Sequence, residues 1–153
     1  MHSTGASAVT DWSRLAAPSL ADIEKLADEA FARLPHRFRR LCEGVAVRVE
    51  DFPDDDTLRE MRCESPFDLL GLFRGTGLAQ GPAVLETGQM PNMVWLYRRP
   101  ILDYWAEHEE TLGHLVAHVL IHEIGHHLGL SDADMEAIEA ATDENRAPLL
   151  PSG

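Results

Sequence analysis

Five consecutive residues, His122-Glu123-Ile124-Gly125-His126, place two imidazoles four positions apart with a carboxylate between them. On a helix, positions i and i+4 lie one above the other on the same face. His122 and His126 can therefore point at a single metal ion. Glu123 sits one position round the helix, within reach of a water beside that ion. Two nitrogen ligands and a general base are the parts needed to activate water for hydrolysis.

Catalytic zinc takes three protein ligands and leaves a fourth position open. The third must come from beyond the helix. Gly129 suits the left-handed position just after a helix end, which would stop the helix near Leu128 and turn the chain back. Asp132 follows, six residues after His126. The long H-E-x-x-H-x-x-G-x-x-H spacing of metzincins puts its third ligand at this offset, and aspartate oxygen is an accepted zinc ligand. Asp132 is the preferred third ligand. Asp134, Glu136, Glu139 and Glu144 are the alternatives. Ser131 and Asp132 both also suit the start of a helix over about 133–141, and Ser131 can cap it while leaving Asp132 free.

The run from Val119 to Asp132 resembles the small bacterial "possible zinc metallopeptidase" family of mini-zincins, whose pattern is H-E-x-x-H-x-x-G-x-x-D. Val49-Glu50-Asp51-Phe52-Pro53, Leu69-Leu70-Gly71-Leu72-Phe73 and Leu96-Tyr97-Arg98-Arg99-Pro100-Ile101 resemble it as well, so the likeness spans about residues 20–141. The resemblance implies a zincin-like α+β fold in one compact domain. It further implies one zinc ion per chain held by His122, His126 and Asp132, with Glu123 as base. A metzincin Met-turn is not evident; Met135 is the only methionine after the motif.

The motif needs a scaffold, and the pattern of the chain predicts one. Ser19 reads as the N-cap of an amphipathic helix to about Leu34, stopped by Pro35, with Ile23, Leu26, Ala30 and Phe31 on one face. Val45 to Val49 alternates as a half-buried strand. Asp51 to Asp56 reads as a solvated acidic loop without the spacing of a calcium loop. Short helical pieces follow over 58–61 and 67–70, and a second strand starts at Gly71. Residues 75–92, rich in Gly with two prolines, read as a flap near the cleft or as a flexible hairpin connection. Met93 to Tyr97 is the third strand; if it is the sheet edge above the motif helix, an extended peptide can pair with it. Ile101 to Ala106 reads as a helical turn. The motif helix, about 111–128, is apolar nearly all round and so belongs at the centre of the fold. The expected architecture is a small three-stranded sheet packed on this helix, with N- and C-terminal helices beside it. Residues 1–18 read as an irregular segment whose Trp12 and Leu15 dock on the body, 19–145 as the domain, and 146–153 as a tail.

Composition narrows the function classes. The chain has 153 residues and a formal net charge of −13. Residues 101–145 hold eleven Asp and Glu and no Lys or Arg. That half disfavours nucleic acid, whose binding relies on clustered basic side chains. It favours cations and basic peptides through the field it creates. No apolar stretch is long enough to span a membrane. The N-terminus lacks the basic and apolar regions of a secretory signal, which points to the cytoplasm. Cys42 and Cys63 show no metal spacing and are expected as reduced thiols.

His114 and His118 extend the four-residue ladder upward from His122, and a second metal on that pair is conceivable; an exposed or hydrogen-bonded face is preferred. His127 points about 100° away from His126. Tyr97, Tyr104 and Arg98 are candidates to stabilise an oxyanion. The reading is a zinc peptidase acting on a peptide or protein substrate. The alternative is a metal- or peptide-binding protein with little or no hydrolysis.

Overall fold

The computed structural model describes residues 10–75 and 92–145. Among them are six α-helices and a three-stranded sheet, an α+β fold. The helices are α1 (Leu20–Arg33), α2 (His36–Leu41), α3 (Asp55–Glu60), α4 (Arg98–Glu107), α5 (Leu112–His127) and α6 (Asp132–Glu144). The strands are β1 (Ala46–Glu50), β2 (Gly71–Arg74) and β3 (Met93–Tyr97).

Helix α1 starts where the sequence says it should. Ser19 accepts a hydrogen bond from the Asp22 backbone N–H, and the Asp22 side chain accepts one from Ser19 N–H, a complete capping box. Ile23, Ala27 and Ala30 are buried along its inner face. Pro35 ends α1 but also opens α2, a helix the sequence pattern did not announce. The acidic run is likewise more ordered than expected. Asp54 accepts from Thr57 N–H at 2.7 Å and caps α3. Asp55 and Asp56 then sit in the first turn, where the helix dipole favours negative charge.

The sheet order is β1-β3-β2. β1 runs parallel to β3, with Val47 opposite Val94, and β2 runs antiparallel, with Leu72 opposite Trp95. The third strand is therefore central, so the condition for peptide pairing at its edge is not met. Val94 and Leu96 are fully buried on one face and Tyr97 almost so, a degree of cover that a strand gains when both neighbours and a helix close over it. Within these residues the edges are β1 and β2. Pro100 lies inside the first turn of α4. It is tolerated there because first-turn N–H groups have no intrahelical acceptor.

Helix α5 is the centre of the fold. It packs against α1, α4, α6, β2 and β3. Leu115, Val116, Leu120, Ile121 and Ile124 are each 2 % exposed or less. Trp12 and Leu15, expected to dock, are 78 % and 54 % exposed. Their short 3-10 turn is held by Asp11 capping Ser13, a local contact that buries nothing. Cys42 and Cys63 are both free thiols, and burial pushes the Cys42 thiol up to about 12. No helix among the described residues is long and apolar enough to cross a membrane. The expected flap over 75–92 falls almost wholly outside the described residues, as do the first nine residues of the N-terminal segment and the tail from 146.

Candidate metal centre

Helix α5 carries the whole H-E-x-x-H motif in its last two turns. It ends as the glycine predicted. Gly129 adopts φ +77°, Leu130 N–H donates to the Gly125 carbonyl at 2.9 Å, and Gly129 N–H donates to the His126 carbonyl at 3.1 Å. That pair of bonds is a Schellman stop. Ser131 then caps α6 through a reciprocal pair with Asp134. Asp132 is the first residue of α6 and is exposed, with Ser131 doing the capping in its place. Ser131 thus takes the cap, and Asp132 is not among the side chains whose ligand atoms converge among the described residues.

Gly125 lies between the two motif histidines for a packing reason. A Cβ there would stand 2.5 Å from Met135 Sδ and 2.8 Å from its Cγ. Met135 is fully buried in α6, directly against the motif turn. The two helices approach this closely because position 125 has no side chain.

Glu123 lies under β2. A Cβ on Gly71 would be 3.5 Å from Glu123 Cγ and 2.7 Å from Val119 Cγ1. The edge strand thus meets the helix at the Glu123 side chain. Burial raises the Glu123 carboxyl above the usual glutamate value; the His126 imidazole, the Phe73 backbone N–H and the His122 imidazole pull the other way and do not outweigh it. His127 faces the same strand, its ring stacked on Phe73 at 3.9 Å.

The histidines do not behave alike. His122 is partly buried, and its Nε2 lies 2.8 Å from Glu139 Oε2. The other oxygen of Glu139 lies 2.7 Å from His118 Nδ1. His126 is exposed, and its ring centroid is 5.9 Å from that of His122 at an 80° interplanar angle. Among the described residues, His118, His122 and Glu139 are the group of three whose ligand atoms lie within 4.8 Å of one another. Glu139 was one of several downstream acids the spacing left open. His118 lay on the same ladder but was set aside, since four-residue steps drift about 40° round a helix. What sequence could not show is that α6 crosses α5 at a register that puts Glu139 between two of its rungs. Two imidazoles and a carboxylate are a donor set suited to zinc. Burial pushes the Glu139 carboxyl up, but the hydrogen bonds from His122 and His118 outweigh it and hold the group below its usual range.

Of the three oxyanion candidates, Arg98 is committed to other partners. Arg98 pairs with Asp51 at 3.0 Å and donates to the Pro18 carbonyl. Tyr97 is 3 % exposed, its hydroxyl pushed up to about 12 by burial and, less, by Glu50. Tyr104 stacks on His108 at 3.7 Å.

A central helix bearing H-E-x-x-H thus lies under an edge strand at the glutamate and turns tightly into a second helix. A family model for zincin-like metallopeptidases matches residues 42–142, and the chain belongs to that family. A search of curated proteins finds no match to this chain. The family brings with it a zinc cofactor, and this structure contains a side-chain group chemically able to hold one.

Proposed function

We propose that the protein is a zinc-dependent peptidase in which His122, His126 and Asp132 hold one zinc ion and Glu123 is the general base. The observation that carries the reading is the position of Glu123. It is a half-buried carboxylate on the motif helix, in contact with the first residue of an edge strand. A structural role would not need an ionisable group there, and a metal binder would need the ligands without the base.

When bound, zinc supplies a Lewis acid that polarises a carbonyl and lowers the pKa of water towards neutrality. The chain's own residues do the rest. The raised affinity of the Glu123 carboxylate for a proton suits it to accept one from the attacking water and return it to the leaving amine. Strand β2, antiparallel to β3 and open on its other side among the described residues, offers backbone groups to which an extended peptide can pair. Such pairing gives affinity independent of side-chain sequence. The acidic half of the chain favours basic segments of a substrate.

Glu123→Gln tests the reading. It should abolish peptide turnover on a library of unstructured peptides while one zinc per chain remains by mass spectrometry; full activity in this variant would refute it. Asp132→Ala should weaken zinc binding. A second reading, metal binding with little hydrolysis, is supported by the pairing of His122 with Glu139, which turns one motif imidazole towards α6. Absence of turnover in a zinc-loaded chain across that library would favour it.

A further inference from the structure

His118 lies outside the H-E-x-x-H motif, one turn before His122 on α5. Their rings are 4.0 Å apart, centroid to centroid, and tilted by 31°. α6 returns antiparallel beside them, so that His114 faces Asp143 at 3.4 Å and His118 faces Glu139 at 2.7 Å. Glu139 is the best shielded member, its side chain 14 % exposed against 44 % for His118 and 20 % for His122. Its two oxygens are divided between two imidazoles. A carboxylate held in this way is satisfied by hydrogen bonds, and the same three side chains converge as ligands would.

We propose that His118, His122 and Glu139 form a second metal position for a zinc-class divalent cation, alternative to the one on His122, His126 and Asp132. It goes beyond the peptidase reading and rests on it only in that both positions draw on His122. Zinc bonds to nitrogen and oxygen of about 2.0–2.2 Å with tetrahedral angles put neighbouring donors about 3.4 Å apart. The nitrogen–oxygen contacts, 2.7 Å to one Glu139 oxygen and 2.8 Å to the other, must open by little more than half an ångström, and the carboxylate must turn to present one oxygen to both imidazoles, for the ion to enter. All three donors stand on two packed helices, so the position needs no loop to close. A neutral imidazole offers one lone pair, and sharing His122 makes the two positions mutually exclusive. The chain then holds one ion, divided between a position beside the base and a position on the ladder above it.

The experiment uses the whole chain, stripped of metal and titrated with zinc against a chromophoric chelator, with imidazole nitrogen resonances followed by NMR. His126→Ala removes a ligand of the motif position only. The variant should still bind one zinc per chain, with the His118 and His122 nitrogens shifting on addition. A further His118→Ala should weaken that binding at least tenfold, and Glu139→Gln, which keeps the side-chain shape, should do the same. Thermal unfolding of each variant checks that it folds. If wild type binds zinc and His126→Ala does not, or binds it with His118 unmoved, the second position is refuted while the peptidase reading stands. If His118→Ala and Glu139→Gln each abolish binding in the wild-type background while His126→Ala does not, the second position stands and the motif triad fails. A wild-type chain that binds no zinc refutes both.

Discussion

Replacing Gly71 with alanine probes the contact on which the site is built. Alanine in a strand would by itself gain about 0.5–1 kcal/mol over glycine. Here the added methyl meets Val119 Cγ1 at 2.7 Å and the Trp95 carbonyl oxygen at 3.1 Å. Neither neighbour yields easily. Val119 is β-branched on a helix and restricted to one rotamer, and it is 6 % exposed. The Trp95 oxygen belongs to the backbone of the central strand. Overpacking of a tight site costs about 1–3 kcal/mol, and with both contacts rigid the upper part of that range applies. The net loss should be about 2 kcal/mol, a fall in Tm of about 4–8 °C for a domain of this size. Urea unfolding measures it. The decisive control is the double variant. Val119→Ala alone should cost about 2 kcal/mol as a buried truncation. It also removes the methyl that the new Cβ strikes, so the pair should lose at least about 1 kcal/mol less than the sum of the singles. Additivity within about 0.5 kcal/mol, or a Gly71→Ala variant as stable as wild type, would show that β2 does not bear on α5 at this point. Turnover should fall as well, because the strand can relieve the clash only by lifting away from Glu123.

Other perturbations separate the site from its scaffold. Glu123 has a folded-state pKa raised above its ordinary value of 4.5 by burial. The folded state therefore holds its proton longer, and metal-free stability should decline as pH rises from about 4.5 through the folded value and then level off. Glu123→Gln should remove that decline, so the inactive variant should melt higher than wild type near neutral pH and similarly below pH 4; equal melting at both would contradict the burial argument. Gly129 at φ +77° has nothing within 4 Å of its would-be Cβ, so Gly129→Ala tests backbone strain alone. It should lose about 1–2 kcal/mol by denaturant unfolding, and an unchanged midpoint would refute the left-handed stop.

The H-E-x-x-H motif and the turn after it lie within eleven residues, and the local signals around them were equally plain. His122, Glu123 and His126 fall on one helix by periodicity alone. Gly129 and Ser131 mark where one helix stops and the next begins, because a positive φ and an N-cap are demands that few side chains meet. Ser19, with Asp22 three residues later, marks α1 for the same reason. Those features depend on neighbours within a turn or two, and sequence holds them. The strand order does not reduce to local preference. Met93–Tyr97 has the composition of a strand in either position, and only its pairing with both β1 and β2 makes it central and leaves β2 as an edge over Glu123. The same holds for His118 and Glu139. They are 21 residues apart, and their meeting depends on how far α6 slides along α5. Met135 lodged against Gly125 fixes that register by close packing, and with it which carboxylate reaches His122.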